Sequence, residues 1–138
     1  MKVEPYGECE CMLAAIAALT NSSLADVRTI ACALAGIDTW KDIFFDKFYD
    51  GSSKFKTVIS TLEMVYGITY TQSETTLNGK GVVTVDGDGG YHIMPFEDGL
   101  VYDHPEQREP MPFDKLLNAG YRAPKIWICI IKRGQAHR

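Results

Sequence analysis

An α+β fold is predicted for this chain from three observations. The first half carries apolar residues at helical spacing. The second half carries short β-branched and aromatic runs punctuated by glycine-rich turns. The helical period closes at Gly67, and the strand runs follow it. Helices first and strands second implies N-terminal helices packed on a C-terminal antiparallel sheet. With 46% hydrophobic residues in 138, there is enough apolar side chain for one real core. No repeat or linker divides the chain. A single domain over residues 1–138 is expected, helical over about 9–67 and sheet over about 68–132.

Gly7 to Cys11 reads as a turn feeding a helix. Met12 to Leu19 is apolar on every side, so that helix is expected to be buried. Thr20-Asn21-Ser22 stops it. Ser23 with Asp26 resembles a capping box, and Leu24, Val27, Ile30, Ala31 and Leu34 then recur at helical spacing up to Gly36. Trp40 to Tyr49 is aromatic and fits a short helix or a packed loop. Phe55, Val58, Ile59, Leu62, Val65 and Tyr66 form a third helical pattern, closed by Gly67.

Ile68 to Thr71 reads as a short strand. Gly81–Val85, Tyr91–Phe96 and Leu100–Tyr102 follow as strands, separated by turns at Asp86 to Gly90 and at Glu97-Asp98-Gly99. Glu106 to Pro112 reads as a loop, and Phe113 to Ala119 as one or two helical turns. The run Ile126-Trp127-Ile128-Cys129-Ile130-Ile131 fits a buried strand.

Charge narrows the function classes. The net charge is −4 and no basic stripe is present, so nucleic acid is not an expected partner. No apolar run approaches the roughly 18 residues of a membrane span, and Met1 to Pro5 is not a signal peptide. The expectation is a cytoplasmic protein without membrane attachment. Its four cysteines, Cys9, Cys11, Cys32 and Cys129, are then reduced thiols. Cys32 and Cys129 sit in apolar surroundings and read as core residues.

Cys11 opens the alanine-rich helix, and His92 and Asp103 lie on two neighbouring predicted strands. A thiol at a helix start is acidified by unpaired backbone N–H groups and the helix dipole. A distant His takes its proton, and an acid orients the His. Side chains across an antiparallel pair lie about 5 Å apart, so His92 and Asp103 can meet. Cys9 competes with Cys11 as the exposed thiol. Glu8 and Glu10 flank both and raise a thiol pKa unless they point away.

Two segments carry a family resemblance. Pro5-Tyr6-Gly7 with Cys11-Met12-Leu13-Ala14-Ala15-Ile16-Ala17-Ala18-Leu19-Thr20-Asn21 resembles the nucleophile helix of compact papain-like cysteine peptidases, the group related to bacteriocin-processing (double-glycine) peptidases. Gly81 to Val85 with Gly90-Tyr91-His92-Ile93-Met94-Pro95-Phe96 and Leu100-Val101-Tyr102-Asp103 resembles their His and Asp strands. The resemblance covers roughly residues 5–120. It implies a papain-like fold with Cys11 as nucleophile, His92 as general base and acid, and Asp103 as orienting group. The implied substrate is a peptide or protein, cleaved at a peptide, isopeptide or amide bond, with neither cofactor nor metal. The alanines fit the family helix when Cys11, rather than Cys9, is the nucleophile.

Two departures stand out. The family has Gly after the nucleophile, where this chain has Met12. The family has an upstream Gln as oxyanion donor, and here the first Gln is Gln72. The alternative expectation is therefore a degenerate papain-like scaffold serving as a binding or structural module of a larger assembly. A metal site on Cys9 and Cys11 lacks a second Cys pair, and His92, His104 and His137 show no zinc spacing. Asp86-Gly87-Asp88 with Glu97 resembles a calcium loop only faintly, because Gly90 and Tyr91 interrupt its ligand positions. Trp40, Phe44, Phe45 and Phe48 fit core packing better than a substrate cleft.

Overall fold

Helix α1, Cys11–Thr20, buries nearly its whole circumference, as an apolar sequence on all sides requires. The computed structural model describes residues 1–7, 9–44, 53–73, 78–87, 90–103, 109–118 and 122–131. Asn21 ends α1 in the left-handed region at φ 55°. The amide of Ser22 donates to the Ala17 carbonyl at 2.9 Å, closing a Schellman turn. Helix α2, Leu24–Ala35, begins at Ser23, whose hydroxyl accepts the Asp26 amide at 3.1 Å. Gly36 ends it at φ 69°. Its buried arc is Leu24, Val27, Ala31, Cys32 and Ala35. Leu34, expected in the apolar stripe, is 42% exposed because the helix turns its other side to α1 and α3.

A 3-10 turn spans Trp40–Phe44. It drives Trp40 and Ile43 into the core; Trp40 packs there and also borders a cleft. The Phe44 side chain, Phe45 and Phe48 lie outside the described residues, as do Asp88, His104 and His137. Helix α3, Ser53–Val65, buries Val58, Ile59 and Leu62 with Tyr66 just beyond its end, and leaves Val65 at 42% exposure.

The sheet has strands β1 (Ile68–Ser73), β2 (Lys80–Gly87), β3 (Gly90–Glu97), β4 (Leu100–Val101), β5 (Met111–Pro112) and β6 (Arg122–Ile131). Their order is β1-β6-β2-β3-β4-β5, with every neighbouring pair antiparallel. This open six-stranded sheet with four α-helices among the described residues is the expected α+β organisation. Strand β5 falls inside the segment expected to be a loop. Pro112 is tolerated there because β5 is an edge strand in this order and its missing N–H costs the ladder nothing. Helix α4 runs Phe113–Asn118.

The hairpin between β3 and β4 turns on Asp98 and Gly99, at φ 51° and 87°. Two consecutive left-handed residues make the two-residue hairpin turn that suits the strand twist. Beyond β4 the Tyr102 amide still donates to the Pro95 carbonyl at 2.9 Å. That bond carries the segment ending at Asp103 back along β3. Side chains on both sheet faces are buried. Val82 and Cys129 join the helical core, while Val83, Val85, Met94, Phe96, Val101 and Ile126 form a second apolar cluster against which Met111 and Phe113 pack. No helix among the described residues is long and apolar enough to cross a membrane.

Candidate active site

Cys11 is the first residue of α1, and α1 packs directly on β3, the strand of His92. Glu10 occupies the N-cap position without a side-chain cap bond, so the leading amides of the helix are not consumed by a capping oxygen. Burial by itself pushes the Cys11 thiol up. Hydrogen bonds from His92 and the Ile93 amide, the charge on His92 and the Met12 amide outweigh it and hold the thiol below its ordinary value of 9.0.

His92 Nε2 lies 3.2 Å from Asp103 Oδ2. With Nε2 on the carboxylate, Nδ1 is left available to the thiol. The hydrogen bonds to Asp103 and to Cys11 raise the imidazole to about 9 against the pull of burial. The three side chains chosen from the sequence are thus brought together in one series, thiol to imidazole to carboxylate. Asp98 takes no part, since it sits exposed in the hairpin turn. The His92 and Asp103 side chains are 24% and 36% exposed, and Cys11 is half-buried, so small reagents can reach the series.

The other thiols differ. Cys9 is exposed and precedes the helix at φ 66°, with its carbonyl accepting the Trp40 indole N–H at 2.8 Å. Cys32 and Cys129 are buried, as expected of core residues. Burial raises both, Cys129 to about 11 with help from Glu63. Cys11 is therefore chemically set apart from both buried thiols. No known protein family, no curated protein and no solved structure matches this chain. Among the described residues, no three His, Cys, Asp or Glu side chains gather as a metal-binding group.

Sequence reasoning missed two arrangements around this series. Glu10 is turned away from the thiol and almost fully buried. Its Oε1 accepts the Gly7 amide at 2.7 Å and Arg28 Nη2 at 2.9 Å, and Arg28 Nε reaches its other oxygen. The Arg28 hydrogen bond holds the Glu10 carboxyl below its ordinary 4.5, overriding burial. This ion pair braces the turn just before the nucleophile. It also forms one wall of a cleft of about 510 Å³, lined in addition by Gly7, Trp40 and Lys41, that does not include Cys11. The second arrangement is Tyr6, whose hydroxyl donates to Asp103 Oδ1 at 3.0 Å. In the sequence, Glu4, Tyr6 and a nearby amide are the candidates to supply what the absent oxyanion Gln would. Glu4 Oε2 instead accepts the first amide of α2, from Leu24, at 2.8 Å, and the single phenolic proton of Tyr6 goes to Asp103.

Replacing Arg28 with Met should destabilise the fold by about 1–2 kcal/mol, less than for a fully buried pair because water screens the half-exposed guanidinium. Glu10 has a depressed pKa, so its contribution is present above its ordinary 4.5 and is lost as pH falls through its folded value. Urea unfolding of both proteins at neutral and acid pH checks this. The difference between them should shrink in acid, and a constant difference would show that the ion pair is not its source.

Proposed function

We propose that this chain is a papain-like cysteine peptidase, acting in the cytoplasm on a peptide or protein substrate without nucleic acid, membrane, cofactor or metal. The observation that carries the reading is the acidified Cys11 thiol at a helix start, hydrogen-bonded to an imidazole that Asp103 orients. The Cys11 thiolate attacks the carbonyl carbon of a peptide, isopeptide or amide bond. His92 gives its proton to the leaving nitrogen, the C–N bond breaks and a thioester remains. His92 then takes a proton from water, which attacks the thioester carbon. The C–S bond breaks, the acid leaves and the thiolate returns.

The oxyanion is received by the Cys11 amide at the head of α1, where a helix offers its N–H no internal acceptor. A missing second donor costs about 100- to 1000-fold in turnover, so the enzyme is slow. That same lack favours the second reading, an inactive scaffold serving as a binding or structural module of a larger assembly. Glu4 and Tyr6, being engaged elsewhere, do not make up the deficit.

Hydrolysis of a mixed quenched-fluorescent peptide library, together with iodoacetamide labelling across pH, separates the two. Cys11→Ser should abolish turnover and the labelling seen below the ordinary thiol range, and Cys9→Ser should leave most of both. No turnover together with a Cys11 that labels only in the ordinary thiol range would establish the scaffold reading.

A further inference from the structure

We propose that Tyr6 is a positioning residue of this site, its phenol fixing the Asp103 carboxylate so that the opposite oxygen faces His92. The inference rests on the Cys11–His92–Asp103 reading and extends it to a fourth member. A carboxylate held through one oxygen alone can turn about its Cα–Cβ and Cβ–Cγ bonds. Here both oxygens are engaged, Oδ1 by Tyr6 at 3.0 Å and Oδ2 by His92 at 3.2 Å. Asp103 needs such a clamp. It lies two residues beyond the end of β4, just after the last ladder bond, from the Tyr102 amide to the Pro95 carbonyl, and its side chain is about one-third exposed.

The position of Tyr6 in the chain adds to the argument. It packs against the helical core and stands immediately before the turn that leads into α1. Gly7 and Glu10 close that turn on themselves. The Gly7 amide donates to Glu10 Oε1 at 2.7 Å, and the Glu10 amide donates to the Gly7 carbonyl at 3.3 Å. Arg28 holds the same Glu10 from α2. One braced turn thus carries the clamp of the carboxylate at one end and the nucleophile at the other. A few residues of chain tie the two ends of the thiol–imidazole–carboxylate series to each other, in addition to the sheet that carries His92 and leads to Asp103.

Among the described residues, titratable groups that face His92 include Cys11 from α1 and Asp103 from the segment after β4, and Tyr6 faces Asp103 from the N-terminal segment. When the phenol is removed, the carboxylate spends less time on Nε2, the imidazolium is less stabilised, and the thiolate loses part of its partner. The test measures the pH midpoint of Cys11 labelling by iodoacetamide and the His92 midpoint by NMR. It compares the unmodified chain, Tyr6→Phe, Asp103→Asn and the double variant. Tyr6→Phe should raise the Cys11 midpoint and lower the His92 midpoint by about half to one pH unit, the size of one hydrogen bond. Asp103→Asn should move both the same way and further. In the Asp103→Asn background, Tyr6→Phe should add nothing, because its acceptor no longer carries the charge being positioned.

If Asp103→Asn moves the midpoints and Tyr6→Phe does not, whether or not Tyr6→Phe melts earlier, Tyr6 is only a packing residue and the proposal is overturned. An equal shift from Tyr6→Phe in both backgrounds overturns it as well. If neither variant moves the midpoints, the triad reading itself fails. Should Tyr6→Phe not fold, the Tyr6 hydroxyl proton in the unmodified chain decides, since a resonance that is absent or indifferent to Asp103→Asn rejects the clamp.

Discussion

Replacing His92 with alanine should return the Cys11 thiol to the ordinary thiol range or above it and abolish hydrolysis. Burial raises this thiol, and two of the influences that lower it, the hydrogen bond and the charge, come from the imidazole. Without them the burial penalty stands against the Ile93 and Met12 amides alone. Labelling of Cys11 in mildly acid solution should fall by tenfold or more, since a tenfold change follows from one pH unit, and turnover should fall by about 10⁴-fold. The intact site should be active between two limits. On the acid side the rate falls as the Cys11 thiolate is protonated, below its ordinary 9.0. On the alkaline side it falls near pH 9 as the imidazolium loses its proton. Both midpoints belong to the coupled pair. The stability terms run in opposite directions. The raised His92 contributes fully below its ordinary 6.5 and loses that contribution as pH rises through about 9. The lowered Cys11 contributes above its ordinary 9.0 and loses that contribution as pH falls through its folded value. A rate without an alkaline limb, or a His92→Ala variant that labels like the parent, would remove His92 from the mechanism.

Gly81→Ala should be strongly destabilising. A Cβ at Gly81 would lie 2.0 Å from the Trp127 carbonyl oxygen and 2.7 Å from the Phe96 ring. The carbonyl belongs to the β6 backbone and cannot swing aside, and the ring belongs to the fully buried Phe96. Overpacking of this kind costs about 3 kcal/mol, the upper end of the usual range, and a melting temperature lower by on the order of 10 °C. The effect should reach the site, because Gly81 opposite Phe96 and Val85 opposite His92 belong to the same β2–β3 register. Displacing β2 from β6 moves the strand that carries the imidazole. Thermal unfolding and Cys11 labelling should therefore change together. A loss below about 1 kcal/mol, within the reach of an ordinary surface change, would mean that β2 and β6 do not approach as described.

What was legible in the sequence was local. Ser23 and Gly36 bracket α2 through cap geometry that depends only on residues a few places away. Asp98 and Gly99 specify their hairpin because both must adopt positive φ. Cys11 at the head of an alanine-rich helix was readable for the same reason. The hidden parts depend on strand order. Nothing in Arg122 to Ile131 says that β6 slots between β1 and β2. Met111 and Pro112 become a strand only because β4 offers an edge to them. Tyr6 meets Asp103 across 97 positions, and Glu10 meets Arg28 across 18, so neither pair leaves a periodic trace. Leu34 and Val65 show the other limit of periodicity. It finds an apolar stripe, while the neighbouring helices decide which edge of the stripe stays wet.

The place of β6 in the sheet has a consequence for how the chain reaches this structure. Strand β1 pairs along its whole length with β6, Ile68 opposite Ile131 through Ser73 opposite Ile126. Strand β2 needs β6 on one side as well as β3 on the other. The hairpin of β2, β3 and β4 can close early from local turns, which gathers His92 and Asp103 at small loop-closure cost. The helical layer has no complete sheet to settle on until the β6 segment is in place. Docking such distant strands is slow in proportion to the chain that must be looped. Until it happens, β1 and one side of β2 are open edges rich in unsatisfied backbone groups, templates for pairing between molecules. A strand that carries none of the candidate catalytic residues is thus the one that separates a foldable chain from an aggregating one.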